Sequence, residues 1–262
     1  METLEALVEQ AYELFADYPA TFPLNVCDCG GCMPREMQHS YLSIPLREWS
    51  EAMMRVYQSS AIVIVGEAAD GIAEFKHFLP RIAQGIIRLE DTAITTEMAW
   101  YRAHFSQREC WLPAEIDWAK RFARAWFAHL LHHGCHPLSE NLTGFLCMFQ
   151  HAELDMIPEL LQLWTQHSMQ PTAIDEFVAI LEELPDGGNA AAWDESCLCY
   201  LPEYGYRNEE FAAVMNGWLL APETRQAFLQ ALAHYLPRNV PDEYNAEKWQ
   251  RAYARLSSEH VK

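Results

Sequence analysis

Two long segments of this 262-residue chain contain no positively charged residue. Neither Lys nor Arg occurs in residues 1–34 or in residues 125–206, and these segments hold six and twelve acidic residues. They carry −18 of the formal net charge of −19. Because phosphate binding depends on Lys and Arg, this charge argues against nucleic acid as a direct partner. The local imbalance instead predicts an acidic surface.

Long apolar runs are also missing. No stretch approaches the roughly 20 apolar residues of a membrane-spanning helix, and the first 15 residues carry acids where a secretory signal has basic residues. The sequence therefore predicts a cytoplasmic protein that has no membrane partner. In that reducing compartment, the eight cysteines are expected to be thiols or metal ligands rather than disulfides.

Several well-known catalytic motifs are absent. The chain has no Gly-rich phosphate loop, no G-x-S-x-G elbow and no H-E-x-x-H pair. Glu74 and His77 form a single Glu-x-x-His motif, whereas a helical di-iron site needs two such motifs and further carboxylates. These patterns give no reason to expect an enzyme.

Helical periodicity is present almost everywhere. Apolar residues such as Leu4, Leu7, Val8 and Ala11 recur at spacings of three and four, which is typical of an amphipathic helix. We predict an all-α protein, a layered multi-helix array of about ten helices in a single domain that spans residues 1–262. At most one short strand is expected, at residues 61–65.

Pro, Gly, Asp or Asn residues punctuate the junctions between the predicted helices. Pro80 is expected to kink or break its helix. Beyond it, helices are predicted at 92–106, 113–133, 139–149, 153–167, 172–184, 208–220, 222–236 and 244–257. The longest break, residues 185–208, is the predicted functional loop.

A C-x-C-x-x-C cluster lies close to the N-terminus. Cys27, Cys29 and Cys32 surround a Gly-Gly pair, and thiolates at this spacing can converge on a tetrahedral zinc ion. His39 is within reach as the fourth ligand if a helix follows Pro34. The cluster is therefore a candidate zinc site with Cys27, Cys29, Cys32 and His39 as its ligands, although the favoured expectation is that the protein has no cofactor.

Other interpretations of the cysteines remain open. Cys197 and Cys199 form a second C-x-C that offers an alternative fourth ligand. Without a metal, the three thiols would serve as small buried hydrophobic side chains beside a turn, and this is the favoured alternative. Redox chemistry is less expected, since a C-x-x-C motif normally needs a strand-to-helix context.

A histidine-rich segment follows the predicted helix 113–133. His129, His132, His133 and His136 surround Gly134 and Cys135 in the sequence HLLHHGCH. Histidines near a helix C-terminus interact favourably with its dipole, and Gly is the usual residue after the last turn. Helix capping is therefore predicted here in preference to metal binding.

Part of the chain resembles a known family. LNVCDCGGCMPRE, IPLREW and EFKHFLPRIAQGI resemble an uncharacterised bacterial protein family over about residues 18–88. Its members share an Asn-Val-Cys…Cys-Met loop, a Pro-Leu-Arg step and a Lys-x-Phe-Leu-Pro-Arg helix. The matching positions are Asn25, Val26, Cys27, Cys32, Met33, Pro45, Leu46, Arg47, Lys76, Phe78, Leu79, Pro80 and Arg81. The resemblance implies no activity.

The acidic segments predict a protein-binding function. An acidic surface steers association with a basic partner and can occupy a site built for phosphates. By analogy of size, charge and class, we predict an immunity-type protein that neutralises a basic, RNA-cleaving bacterial toxin. The alternatives are a zinc-binding helical protein that uses the cysteine cluster, and a helical adaptor with another protein partner.

The predicted partner-binding residues lie in the basic-free segment 125–206. They are Asp155, Glu159, Asp175, Glu176, Glu182, Glu183, Asp186, Asp194 and Glu195.

Overall fold

The structure is a computed structural model that describes residues 2–63, 68–91, 95–135, 141–183, 209–236 and 243–258. These ranges contain eleven α-helices and no β-sheet, which confirms the predicted all-α array. None of these helices has both the length and the apolar character needed to cross a membrane. The helices are α1 (Leu4–Leu14), α2 (Arg35–Leu42), α3 (Glu51–Ser59), α4 (Ala68–Ile87), α5 (Pro113–His133), α6 (Leu142–His151), α7 (Ile157–Gln166), α8 (Pro171–Glu183), α9 (Glu209–Leu220), α10 (Pro222–Tyr235) and α11 (Glu243–Ser258).

Helix boundaries follow the sequence pattern closely from α5 onward, but two predictions fail. Pro80 does not break α4, which runs unbroken from Ala68 to Ile87. The neighbouring Phe78, Leu79 and Ile82 are almost completely buried, so packing outweighs the lost backbone hydrogen bond. The predicted helix 92–106 is wrong, because the described part contains only the 3₁₀ turn Thr96–Met98.

The failed helix has a local cause. His104 has a φ of 45°, in the left-handed region that a right-handed helix cannot contain. Ala99, Trp100 and Ala103 are all buried, and their spacings of three and four imitate a helix face although the backbone turns. Apolar spacing alone therefore did not separate a buried irregular segment from a helix.

The described part of the predicted strand pairs with the cysteine segment. Ile62 forms an isolated antiparallel bridge with Val26, and Ile62 and Val63 are both exposed. The last two residues of that prediction, 64 and 65, lie outside the described ranges. The predicted loop 185–208 also lies outside them.

The chain divides into two compact units. The first unit contains residues up to Trp126 together with Gly144–Met156, and the second contains Phe127–Cys135, Asn141–Thr143 and the residues from Ile157 onward. The single domain over residues 1–262 stays a prediction, since compactness does not measure independent folding.

Within the first unit, α1 packs against α4. The face of α1 that carries Leu7, Val8 and Ala11 is buried, as its spacing predicts. The indole nitrogen of Trp118 donates a hydrogen bond of 2.8 Å to the Leu7 carbonyl, while its ring lies 6.1 Å from that of Trp100. The first unit is thus built on aromatic packing around α4 and α5.

Within the second unit, α10 contacts α7, α8, α9 and α11. The rings of Phe177 and Phe228 stack with their centroids 3.7 Å apart, and the ring of Trp164 lies 4.9 Å from that of Trp218. Offset and edge-to-face contacts of this kind add to the hydrophobic stabilisation. These aromatic side chains form the core of the second unit.

Candidate metal centre

The segment that carries the three cysteines, residues 24–33, is here called the cysteine loop. Its two ends are joined by Gln38 of α2, which has 0% of its surface exposed. The Gln38 Oε1 atom accepts the Leu24 N–H at 2.9 Å, and its Nε2 atom donates to the Met33 carbonyl at 2.8 Å. One buried side chain therefore fixes both the beginning and the end of the loop.

Backbone hydrogen bonds fix the middle of the cysteine loop. The Cys27 N–H donates to the Ala61 carbonyl at 2.7 Å, and the Val63 N–H donates to the Asn25 carbonyl at 3.1 Å. Inside the loop, the Met33 N–H reaches the Cys27 carbonyl at 3.1 Å. These bonds bring Cys27 close to Cys32 in space.

The three sulfur atoms converge. The Sγ atoms of Cys27, Cys29 and Cys32 all lie within 4.8 Å of one another. Zinc–sulfur bonds of about 2.3 Å in a tetrahedron place two sulfurs about 3.8 Å apart, so small side-chain rotations would complete the geometry. Cys29 is exposed, and Cys27 and Cys32 are half-buried. Because Cys29 is exposed, the interpretation as buried hydrophobic thiols does not fit it.

Hydrogen bonds within the loop make the three thiols unequal. The pKa of Cys29 is lowered by a hydrogen bond from the Cys27 thiol, then by the Gly31 N–H and the Cys32 thiol. The Cys29 N–H acts to lower the pKa of Cys27, but hydrogen bonds to the Cys29 and Cys32 side chains outweigh it and raise that pKa. Cys29 is therefore the thiol best prepared to become a thiolate, the form that binds metals.

The backbone conformation at Gly30 and Gly31 does not require glycine. Gly30 and Gly31 are not in the left-handed region, and a Cβ atom added to either would have no neighbour within 4 Å. The Gly-Gly pair is therefore not required for the sulfur atoms to converge.

The predicted fourth ligand is not brought into the cluster. His39 lies on α2, but its ring stacks on that of Phe22 with the centroids 3.7 Å apart, and it is not part of the group of converging ligand atoms. The alternatives Cys197 and Cys199 lie outside the described residues. The described ranges therefore supply three ligands for a metal ion, and all three are thiols.

The remaining cysteines and the histidine-rich segment differ from expectation in one respect. Cys110 and Cys135 are free thiols, whereas Cys147 is disulfide-bonded, contrary to the expectation of reduced cysteines.

Gly134 ends α5 with a φ of 79°, and its N–H donates to the Leu130 carbonyl at 2.7 Å. The predicted helix cap at Gly134 is confirmed.

A buried carboxylate anchors the cysteine loop to α4. Glu74 accepts hydrogen bonds from the Asn25 N–H at 2.7 Å and the Asn25 Nδ2 atom at 3.1 Å, and from the Tyr57 hydroxyl at 3.0 Å. Burial raises the pKa of Glu74, although its donors and the nearby Arg102 guanidinium oppose the shift. Glu74 is therefore a structural group beside the loop, with no second Glu-x-x-His motif to make it a metal ligand.

The raised pKa of Glu74 gives a prediction for the pH dependence of stability. A carboxyl group whose pKa in the folded protein exceeds its usual 4.5 makes its full contribution to the stability of the fold at lower pH. It loses that contribution as the pH rises through its pKa in the folded protein. Relative to Glu74→Gln, which cannot ionise, the wild type should lose stability as the pH rises above 4.5. Urea unfolding at several pH values measures this difference, and the exposed Glu36→Gln is the control. If the stability of the wild type relative to Glu74→Gln stays constant or increases as the pH rises, this prediction is wrong.

The structure places the predicted partner-binding acids in different settings. Asp155 and Glu159 are exposed, but Asp175 accepts a 2.7 Å hydrogen bond from the Trp249 indole. Glu182 pairs with Lys248 and Arg251. Glu183 is the last residue of α8, and Asp186, Asp194 and Glu195 lie outside the described residues.

Glu176 has a structural role in the second unit. Its Oε2 atom accepts the Leu142 N–H, at the start of α6, at a distance of 3.0 Å. Burial raises the pKa of Glu176, and the bonds from Leu142 and the Cys135 thiol only partly oppose this shift. A carboxylate that caps a helix start is stabilising, so Glu176 is engaged within the chain and is a poor candidate for partner binding.

Ion pairs between distant residues reduce the local charge imbalance. In the first segment, Glu2 pairs with Arg121 at 2.6 Å, Glu9 with Arg47 at 2.8 Å and Asp28 with Arg35 at 2.8 Å. Counting charges along the chain could not show these pairs, because the partners are up to 119 residues apart. Inhibition of a basic toxin stays a prediction. Among the acids predicted to bind the partner, Asp155 and Glu159 are described and exposed.

Gln38 is the residue that sequence reasoning missed. It stands in a short helix with few apolar residues, MQHSYL, where a glutamine is expected to face solvent. Its burial depends on the loop that it joins, which the helical spacing does not encode. No spacing signal in the sequence could have identified it.

Comparison with known proteins supplies no relative. No family model, no curated protein and no solved structure matches this chain. The resemblance of residues 18–88 to an uncharacterised bacterial family therefore stays a prediction, and the function must be argued from the site itself.

Proposed function

We propose that this protein binds one zinc ion through Cys27, Cys29 and Cys32. The observation that supports the proposal is the convergence of three sulfur atoms within 4.8 Å of one another on a loop whose two ends are fixed by a buried side chain. Because the loop is held by hydrogen bonds that do not involve the thiols, it is arranged before a metal arrives.

Ligand chemistry favours zinc over harder cations. Thiolates are soft ligands that suit zinc and copper(I), whereas Mg²⁺ and Ca²⁺ prefer oxygen. Hydrogen bonds from the neighbouring thiols lower the pKa of the exposed Cys29, which favours the thiolate form that binds metals. Since metal binding releases the thiol protons, the affinity should rise with pH.

Metal titration tests the proposal. Untagged protein, stripped with a chelator and kept reduced, is titrated with Zn²⁺ against a chromogenic chelator, and with Co²⁺ to observe thiolate-to-cobalt charge transfer. We expect one ion per chain and at least about 100-fold weaker binding for Cys29→Ser and Cys32→Ser, because loss of even an indirect contact to a metal costs about 10–100-fold.

Two further variants separate a specific site from general thiol chemistry. Cys110 is a free thiol outside the cluster, so Cys110→Ser should bind zinc as the wild type does. His39→Ala should also leave the affinity unchanged, because the His39 ring stacks on Phe22. Substoichiometric zinc in the wild type, or equal losses for Cys29→Ser and Cys110→Ser, would overturn the proposal.

A further inference from the structure

A surface groove of about 460 Å³ lies in the first unit, beside the start of α5. Four of its lining residues, Pro113, Ile116, Asp117 and Lys120, share one face of α5 because they are spaced at three, four and seven. Trp111 and Arg108, which precede the helix, complete the lining. The volume is within the range of about 300–1,000 Å³ that small-molecule sites occupy.

Two cations face this groove without a partner. Arg55, Arg102 and Arg121 illustrate the usual situation in this acidic chain, where an arginine lies within 4 Å of a carboxylate. Within the described ranges, by contrast, the side chains of Arg108 and Lys120 make no ion pair or hydrogen bond. Among the described residues unpaired positive charge is scarce, and here two such groups line one groove.

Apart from Asp117, the rest of the lining is apolar, and its one aromatic ring is fixed. The Trp111 indole nitrogen donates to the Ala103 carbonyl at 3.1 Å, and its ring lies 4.3 Å from that of Phe105, so the ring is held in place. Asp117, the one acid in the lining, is exposed and pairs with Arg121 at 2.8 Å. Arg108 and Lys120 together outnumber this single carboxylate in the lining.

We propose that this groove binds a small organic anion, with a carboxylate or phosphate between Arg108 and Lys120 and an apolar body against Pro113 and Ile116, the accessible apolar residues of the lining. Arginine and lysine are the usual ligands of such anions. An aryl or alkyl body would cover the apolar lining, which otherwise contacts water. This activity is independent of the cysteine loop.

Nuclear magnetic resonance titration tests the groove. The probes are 1-naphthoate, 1-naphthyl phosphate and the neutral 1-naphthylmethanol, and the signal is the indole N–H of Trp111, assigned with Trp111→Phe. We expect saturable shifts with the two anions and much weaker binding of the alcohol. A larger effect of the phosphate would identify phosphate as the preferred group, and a larger effect of the naphthoate would identify carboxylate.

A matched pair of double variants decides the outcome. Arg108→Gln with Lys120→Gln should weaken anion binding several-fold, by up to about fivefold for each cation removed, because exposed ion pairs are individually weak. Arg55→Gln with Arg88→Gln removes the same charge from exposed sites outside the groove and should not change the affinity. Equal weakening by both pairs, equal binding of the alcohol, or shifts that never saturate would overturn the proposal.

Discussion

Replacing Lys76 with Met should lower the free energy of unfolding by about 3–5 kcal/mol, the usual cost of removing one partner of a buried ion pair. Lys76 Nζ lies 2.7 Å from Glu115 Oε2, and the two side chains are only 3% and 0% exposed. The ammonium also donates to the Tyr18 hydroxyl at 3.1 Å. Without the Lys76 ammonium, the Glu115 carboxylate would be buried with no cation beside it.

Glu115 makes this loss severe for a second reason. Its Oε2 atom also accepts the Leu112 N–H at 2.7 Å, which caps the start of α5, whereas its Oε1 atom has no hydrogen-bond partner among the described residues. The carboxylate therefore has little to compensate for a missing ammonium. Methionine matches the length of lysine, so loss of packing contributes little.

Urea unfolding followed by circular dichroism measures this effect. The control is Lys76→Met combined with Glu115→Gln, which removes the stranded charge and keeps an oxygen for the Leu112 N–H. We expect this double variant to be more stable than Lys76→Met alone. A single variant as stable as the wild type would show that the ion pair does not hold the first unit together.

The second large effect is expected at Gln38. Gln38→Ala would leave the Leu24 N–H and the Met33 carbonyl buried without partners, and each such group costs about 1–3 kcal/mol. We therefore expect a loss of stability of about 2–4 kcal/mol. Zinc affinity should also fall by at least about tenfold, because the loop ends would no longer be fixed before binding.

Two measurements make this prediction specific to the loop. Gln38→Glu keeps the acceptor for Leu24, but at neutral pH it would bury a carboxylate against the Met33 carbonyl, so it should be at least as destabilising as Gln38→Ala. Gln10→Ala, a substitution in α1 outside the loop, should leave zinc binding unchanged. Unfolding curves and zinc titrations of the three variants test both expectations, and a Gln38→Ala variant with unchanged zinc affinity would contradict the role of the loop ends.

The sequence predicted the helices well where periodicity and punctuation agreed. α5 begins at Pro113 and ends at His133, as expected, because Pro suits a first turn and Gly134 follows the last one. The prediction failed at Pro80 and at residues 92–106, where burial rather than local preference decides the backbone. Spacing describes one face of a helix, but it cannot show which neighbouring element lies against that face.

The candidate metal centre was predicted in part. The spacing of Cys27, Cys29 and Cys32 was enough to predict that their sulfurs converge, because the three lie within one short loop. His39 could not be placed in the same way, since the direction of its side chain depends on Phe22, a residue on the far side of the loop in sequence. Likewise, the acids of α8 were chosen by charge alone, whereas α11 supplies the basic partners of Glu182 and the indole donor to Asp175.

The backbone of the cysteine loop also bears on how its sequence can vary over evolution. Gly30 and Gly31 give the motif its most recognisable appearance, yet neither occupies a conformation that requires glycine. Selection would act on the sulfur positions and on a glutamine outside the motif, leaving the glycine pair to drift. A search pattern written around Gly-Gly would therefore miss relatives that one written around three cysteines and a downstream glutamine would find.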